Sequence, residues 1–149
     1  MMATGETAPM PEARLAIALL VLRLTLGVFF LQWGIEKFVV PATTLAIFRN
    51  FYGIDFGSWV PPILGVAQVL IAVALLLGFQ PRLTYGIVLL LHGVTVIVSI
   101  PRILSPWNPV SNHFFIAGVP ILAAFFALYL LRDWDRYRIG GAGKVSPAA

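Results

Sequence analysis

Cysteine is absent from this 149-residue chain. Its absence removes disulfides, thiol nucleophiles and thiolate-bound zinc or iron–sulfur clusters, and leaves the redox compartment unread. Charge is nearly as scarce: Asp, Glu, Lys and Arg make up 11% of the residues while 60% are apolar, against about 25% charged in ordinary soluble domains. A single soluble domain of this length could not cover its surface with so few charges. The six acids lie at the ends of apolar runs, in loops or in the N-terminal tail, and form no metal-ligand motif. The net charge is +4, but half of the basic residues sit at the tips of apolar runs or in the C-terminal tail. That is the pattern of membrane topology rather than of a nucleic-acid surface, so no nucleic-acid partner is expected.

Four apolar runs are present: Leu15 to about Trp33, Ile63 to Phe79, Leu83 to Ile100, and Phe114 to Leu131. Each is close to the ~20 residues that cross ~30 Å of hydrocarbon as a helix. Backbone groups in hydrocarbon must be satisfied internally, and the ~10-residue alternating segments of a barrel are missing. The expected fold is all-α, an integral membrane four-helix transmembrane bundle. Residues 1–14 form an N-terminal cytoplasmic tail, 15–131 the four-helix domain, and 132–149 a basic, largely disordered cytoplasmic tail. The first run exceeds the apolar core of a signal peptide and reads as a retained anchor.

The punctuation is consistent with these spans. Pro61 and Pro62 open the second helix, Gly78 and Pro81 bracket its end, and Pro101 should stop the third. Pro120 lies inside the fourth run and should kink it. In the first loop, Leu45, Phe48, Phe51 and Tyr52 recur at helical spacing, which predicts a short helix at the interface. With the N-terminus inside, the inner side carries Arg14, Arg82, Arg132, Arg136, Arg138 and Lys144, and the outer side Lys37, Arg49 and Arg102. Six against three favours both termini inside. Glu36 and Lys37, following the first helix, read as an ion pair or interfacial anchors, as do Arg49 and Asp55.

Arg23 is the most informative residue. It lies about eight residues, or ~12 Å, into the first span. Arginine near the bilayer centre costs at least ~2.5–3.5 kcal/mol on insertion scales, so it should face the bundle or a wet cavity, or else snorkel to the headgroups. Gln68 and His92 fall at about the same depth on the second and third helices, ~16 and ~13 Å from their inner ends. Tyr85, His92 and Ser99 are seven apart, with Thr95 beside them, and make one polar stripe. Arg23, Gln68, His92, Tyr85 and Thr95 are thus the candidate ligand-binding residues. The plainer reading of Gln68 and His92 is interhelical hydrogen bonding. No acid lies at this depth, so Arg23 is expected to lack a countercharge within the chain. His92 and His113 differ in depth by ~12 Å, so a haem bridged by both is not expected. Gly27 and Gly34, like Gly86 and Gly93, are seven apart and read as helix-packing positions.

The segment "LRLTLGVFFLQWGIEKF" resembles the opening of the DoxX family of small four-helix bacterial membrane proteins, through Arg23, Gly27, Gly34 and Lys37. "LLLGFQPRL" resembles that family's second-helix ending, through Gly78 and Arg82. The resemblance covers about residues 15 to 131; where the family commonly has Glu in the second helix, this chain has Gln68. The resemblance implies a multi-pass protein of the bacterial inner membrane linked to quinone-dependent sulfur or redox chemistry, one branch resembling the small subunit of thiosulfate:quinone oxidoreductase. It leads to an expected subunit of a quinone-linked oxidoreductase or redox-protective complex, with quinone as the ligand of a polar intramembrane pocket. A non-catalytic membrane anchor or assembly factor is the alternative, and a small transporter a third. Expected partners are the lipid bilayer and a soluble or membrane redox protein, or further copies of the chain.

Overall fold

The computed structural model describes residues 12–108 and 112–139, with backbone alone for His113. Every regular element among them is helical. The order is α1 (Glu12–Val39), α2 (Pro41–Ile47) running into a π turn (Phe48–Tyr52), α3 (Val60–Leu77), α4 (Pro81–Ile103), a 3-10 turn (His113–Ala117), α5 (Gly118–Leu130) and a last 3-10 turn (Arg132–Trp134). Helices α1, α3 and α4 are long and apolar enough to cross a membrane, and Phe114–Leu130 is a shorter apolar helix. This is a helical membrane bundle.

The bundle is two pairs. α1 packs chiefly on α3, and α4 on α5, while α1 with α5 and α3 with α4 close the ring. Glycine makes the first pair tight. A Cβ on Gly27 would stand 2.5 Å from Leu76, and one on Gly34 would stand 3.0 Å from Val69 Cγ2 and 3.2 Å from its backbone nitrogen. Small residues let helices approach closely where lipid supplies no hydrophobic driving force between them. The core between the pairs is Leu19, Leu26, Phe30, Ala72, Leu75, Tyr85, Val88, Phe125 and Leu128. Outside, α1 exposes Ile17, Val21, Leu24 and Val28 at helical spacing. In water such a stripe would be a liability; here it is the lipid-facing wall.

Local chemistry explains the element ends, and corrects some expectations. α3 starts with Pro61 and Pro62 in its first turn and ends at Gly78, φ +64°, where Phe79 N–H bonds Ala74 O at 2.9 Å. Gln80 is also left-handed, φ 47°, so the chain reverses within three residues before Pro81 opens α4. α1 does not stop near Trp33 but continues to Val39, so Glu36 and Lys37 lie inside it. Lys37 Nζ donates back to Trp33 O, one turn earlier in the same helix, at 3.0 Å. Pro101 does not stop α4 either. The helix runs to Ile103, because only the amide of residue 101 is lost and Leu104 N–H still bonds Ile100 O at 2.9 Å. The fourth apolar run changes pitch close to Pro120: it starts as a 3-10 turn, capped by Asn112 Oδ1 accepting from Phe114 N–H at 2.8 Å, and becomes α-helix at Gly118. Pro120 then sits in the first turn of α5, where amides have no helical partner. The loop helix expected around Leu45–Tyr52 is present as α2 and the π turn.

Candidate functional site

Arg23 is 2% exposed and points into the bundle. It has a countercharge after all. Nη1 donates to Asp135 Oδ2 at 2.7 Å, and Nη2 donates to the carbonyl of Tyr137. Asp135 is 1% exposed, and the same Oδ2 accepts the Tyr85 hydroxyl at 2.5 Å. An arginine on the first helix, a tyrosine on the third span and an aspartate beyond the last thus meet in one dry cluster. The expectation of a countercharge-free Arg23 fails for a geometric reason. After α5 the chain turns through Arg132–Trp134 and folds back under the bundle, where Ile139 N–H bonds Leu77 O at 3.0 Å. This return strap, residues 132–139, brings an acid up to a guanidinium that reaches down. The expected disordered tail therefore does not begin at Arg132; its remainder, 140–149, lies outside the described residues.

Gly78 belongs to the same cluster. Its left-handed backbone disfavours any side chain, and a Cβ there would lie 2.5 Å from both Arg23 Nη1 and Arg138 Cβ. The guanidinium occupies the space that a side chain would fill. Two atoms of the cluster, Arg23 Nε and Asp135 Oδ1, are buried without a partner.

The other candidates stand apart. Gln68 Nε2 donates to Phe30 O at 3.1 Å, across the α1–α3 contact beside Gly34. His92 Nε2 lies 3.0 Å from Gly118 O; a carbonyl only accepts, so this nitrogen carries the proton. The ring packs against Phe29 and Phe125, with centroids at 5.9 and 5.4 Å. Thr95 is exposed, its hydroxyl bonded to Leu91 O of its own helix at 3.1 Å. Tyr85, His92 and Ser99 do share the buried face of α4. Arg23 and Tyr85 are brought together, whereas Gln68, His92 and Thr95 are each bonded elsewhere. Two grooves along α1, of about 340 and 570 Å³, are lined around Phe29 with Pro120 and around Trp33 with Glu36, and none of the five residues lines them. Gln68 and His92 thus bond Phe30 O and Gly118 O, apart from the partners of Arg23, Asp135 and Tyr137. Among the described residues no three His, Asp or Glu converge as metal ligands, and the side chain of His113 lies outside them.

Sequence reasoning missed Asp135. In "LRDWDRYR" it and Asp133 are equivalent as letters, and only the 3-10 turn decides that Asp135 faces in. The available signal was energetic: a buried guanidinium demands an acid, and the first acids after the fourth run were the ones in reach.

Fold and site together define a helical membrane bundle locked at one end by a buried arginine–aspartate pair. A family model described as DoxX matches residues 18–100, more than half of the chain. The chain belongs to the DoxX family. Arg23 and Gly78, which meet in the cluster, lie within the matched span, and Asp135 lies beyond it. No curated protein and no solved structure matches the chain.

Proposed function

We propose that this protein is a non-catalytic membrane subunit, a four-helix anchor or assembly platform of the bacterial inner membrane with both termini inside. One observation carries the reading: Arg23, Gln68 and His92 each bond another part of the chain. Arg23 is neutralised by Asp135, Gln68 is tied to α1, and His92 is tied to the start of α5. A pocket poised for a ligand would leave such groups aimed into a cavity. Here they hold helix to helix, and the exterior is left for lipid and partner helices.

A second reading, association with a quinone-linked oxidoreductase, follows from the family resemblance and draws on the unpartnered donor Arg23 Nε and on the Tyr85 hydroxyl now given to Asp135. The carbonyls of a quinone head group would accept from Arg23 and Tyr85 with the strap and its Asp135 displaced.

Native mass spectrometry of the complex extracted with its lipids and quinones tests both. The anchor reading expects a bound protein partner, no stoichiometric quinone, and an Arg23→Gln variant that loses stability. A quinone bound to wild type and lost in Arg23→Gln, with the melting temperature unchanged, would reverse the order of the two readings.

A further inference from the structure

The end of the bundle that carries the strap holds a charged rim that the buried cluster does not explain. Arg14 lies in the first turns of α1, Arg82 is the second residue of α4, and Arg132, Arg136 and Arg138 are on the strap. The strap's bonds gather them at one end: Arg136 pairs with Glu12, Tyr137 O with Arg23, and Ile139 N–H with Leu77 O. Among the described residues, five arginines there face two exposed acids, Glu12 and Asp133, because Asp135 is buried on Arg23. Arg14, Arg82 and Arg138 make no ion pair or hydrogen bond among the described residues. Between the arginines stand Trp134, Tyr137 and Ile139, each at least half exposed, and the lipid-facing Phe79 and Leu83 continue from them.

A basic rim with outward Trp and Tyr, at the edge of an apolar wall, fits the headgroup layer of a leaflet. Arginine near an anionic leaflet gains about fivefold in affinity per residue. An acidic protein would match the charge but not the apolar side chains that run on into the lipid-facing surface. We infer that segment Arg132–Ile139 is a lipid-binding strap: held by the Arg23–Asp135 pair, it presents Arg136 and Arg138, with Arg82 and Arg14, to the phosphates of anionic phospholipids. The buried pair then sets where the arginines stand, and the surface is more than a sum of charges.

The test is lipid retention by the full-length protein, read by native mass spectrometry from equal phosphatidylglycerol and phosphatidylcholine. Wild type should prefer phosphatidylglycerol. The surface double variant R136Q/R138Q should lower that preference by up to about 25-fold, from fivefold per arginine. Asp135→Asn is the discriminating change, because it removes a negative charge. Net charge alone expects a stronger preference for phosphatidylglycerol; a released strap expects a preference weaker by about fivefold or more. Gly78→Ala changes no charge, but its Cβ would displace Arg138 and Arg23, so the same fall is expected. Arg49→Gln, in the π turn at the opposite end, should change nothing. Equal retention of both lipids by wild type overturns the inference, as does an undiminished preference in folded Asp135→Asn or Gly78→Ala. Were both of those to fail to fold, an unchanged preference in R136Q/R138Q would overturn it. Capture of an acidic protein without lipid preference would also do so.

Discussion

At the residue scale the chain is governed by the cost of burying one guanidinium. Arg23 cannot shed its charge, so it must be matched. Asp135 matches it in charge, the Tyr137 carbonyl accepts from Nη2, and the Tyr85 hydroxyl donates to the same Asp135 oxygen that Arg23 contacts. Tyr85 is fully buried, so losing its hydroxyl leaves Asp135 Oδ2 with one donor fewer and no water to replace it. Tyr85→Phe should cost about 1.5–3 kcal/mol, the range for hydrogen bonds to charged groups, measured as unfolding in mixed micelles. A loss below ~0.5 kcal/mol would mean that water or another donor reaches the carboxylate. The other polar side chains do humbler work. The His92–Gly118 contact fastens α4 to the point where the 3-10 turn becomes α5, and the exposed Arg49–Asp55 pair at 2.6 Å contributes little.

At the element scale the helices follow from span length and from glycine, and the bundle's tightest contact is α1 on α3. Gly34 faces Val69 so closely that backbone as well as side chain is in the way. Gly34→Ile should force α1 off α3, break the Gln68–Phe30 hydrogen bond and destabilise by about 1–3 kcal/mol, as overpacking does. Thermal unfolding in detergent would show it, and an unchanged melting temperature would put the helix contact elsewhere. Most of this level was legible in the letters. Apolar run lengths marked the helices, the seven-residue glycine spacing marked the packing faces, and Tyr85, His92 and Ser99 marked the inward stripe of α4. What was not legible has a common cause. The continuation of α1 through Glu36 and Lys37, the passage of α4 through Pro101, and the pitch change at Gly118 depend on which carbonyls and amides find partners nearby. The inward turn of Asp135 depends on the path of the strap. Depth along a membrane normal can be counted from sequence, whereas a segment that folds back against that count cannot.

At the scale of the whole molecule, the Arg23–Asp135 contact joins residues 112 positions apart and closes the bundle where its first and last elements meet. It also places the described arginines of that end on one side, in keeping with the proposed orientation. Single cysteines introduced at Ser111 and Ser146 should label from opposite faces of the membrane; labelling from one face would contradict the four-span topology. The central claim is that Arg23 is a locking residue whose charge is answered inside the chain. A double-mutant cycle on stability tests it most directly, using Arg23→Gln, Asp135→Asn and the pair together. Each single change strands a buried charge, a loss of about 3–5 kcal/mol, and the double variant removes both charges at once. The account predicts that the double variant is more stable than either single one. Losses that simply add, leaving the double variant the least stable of the three, would show that the two residues do not act on each other and would contradict it.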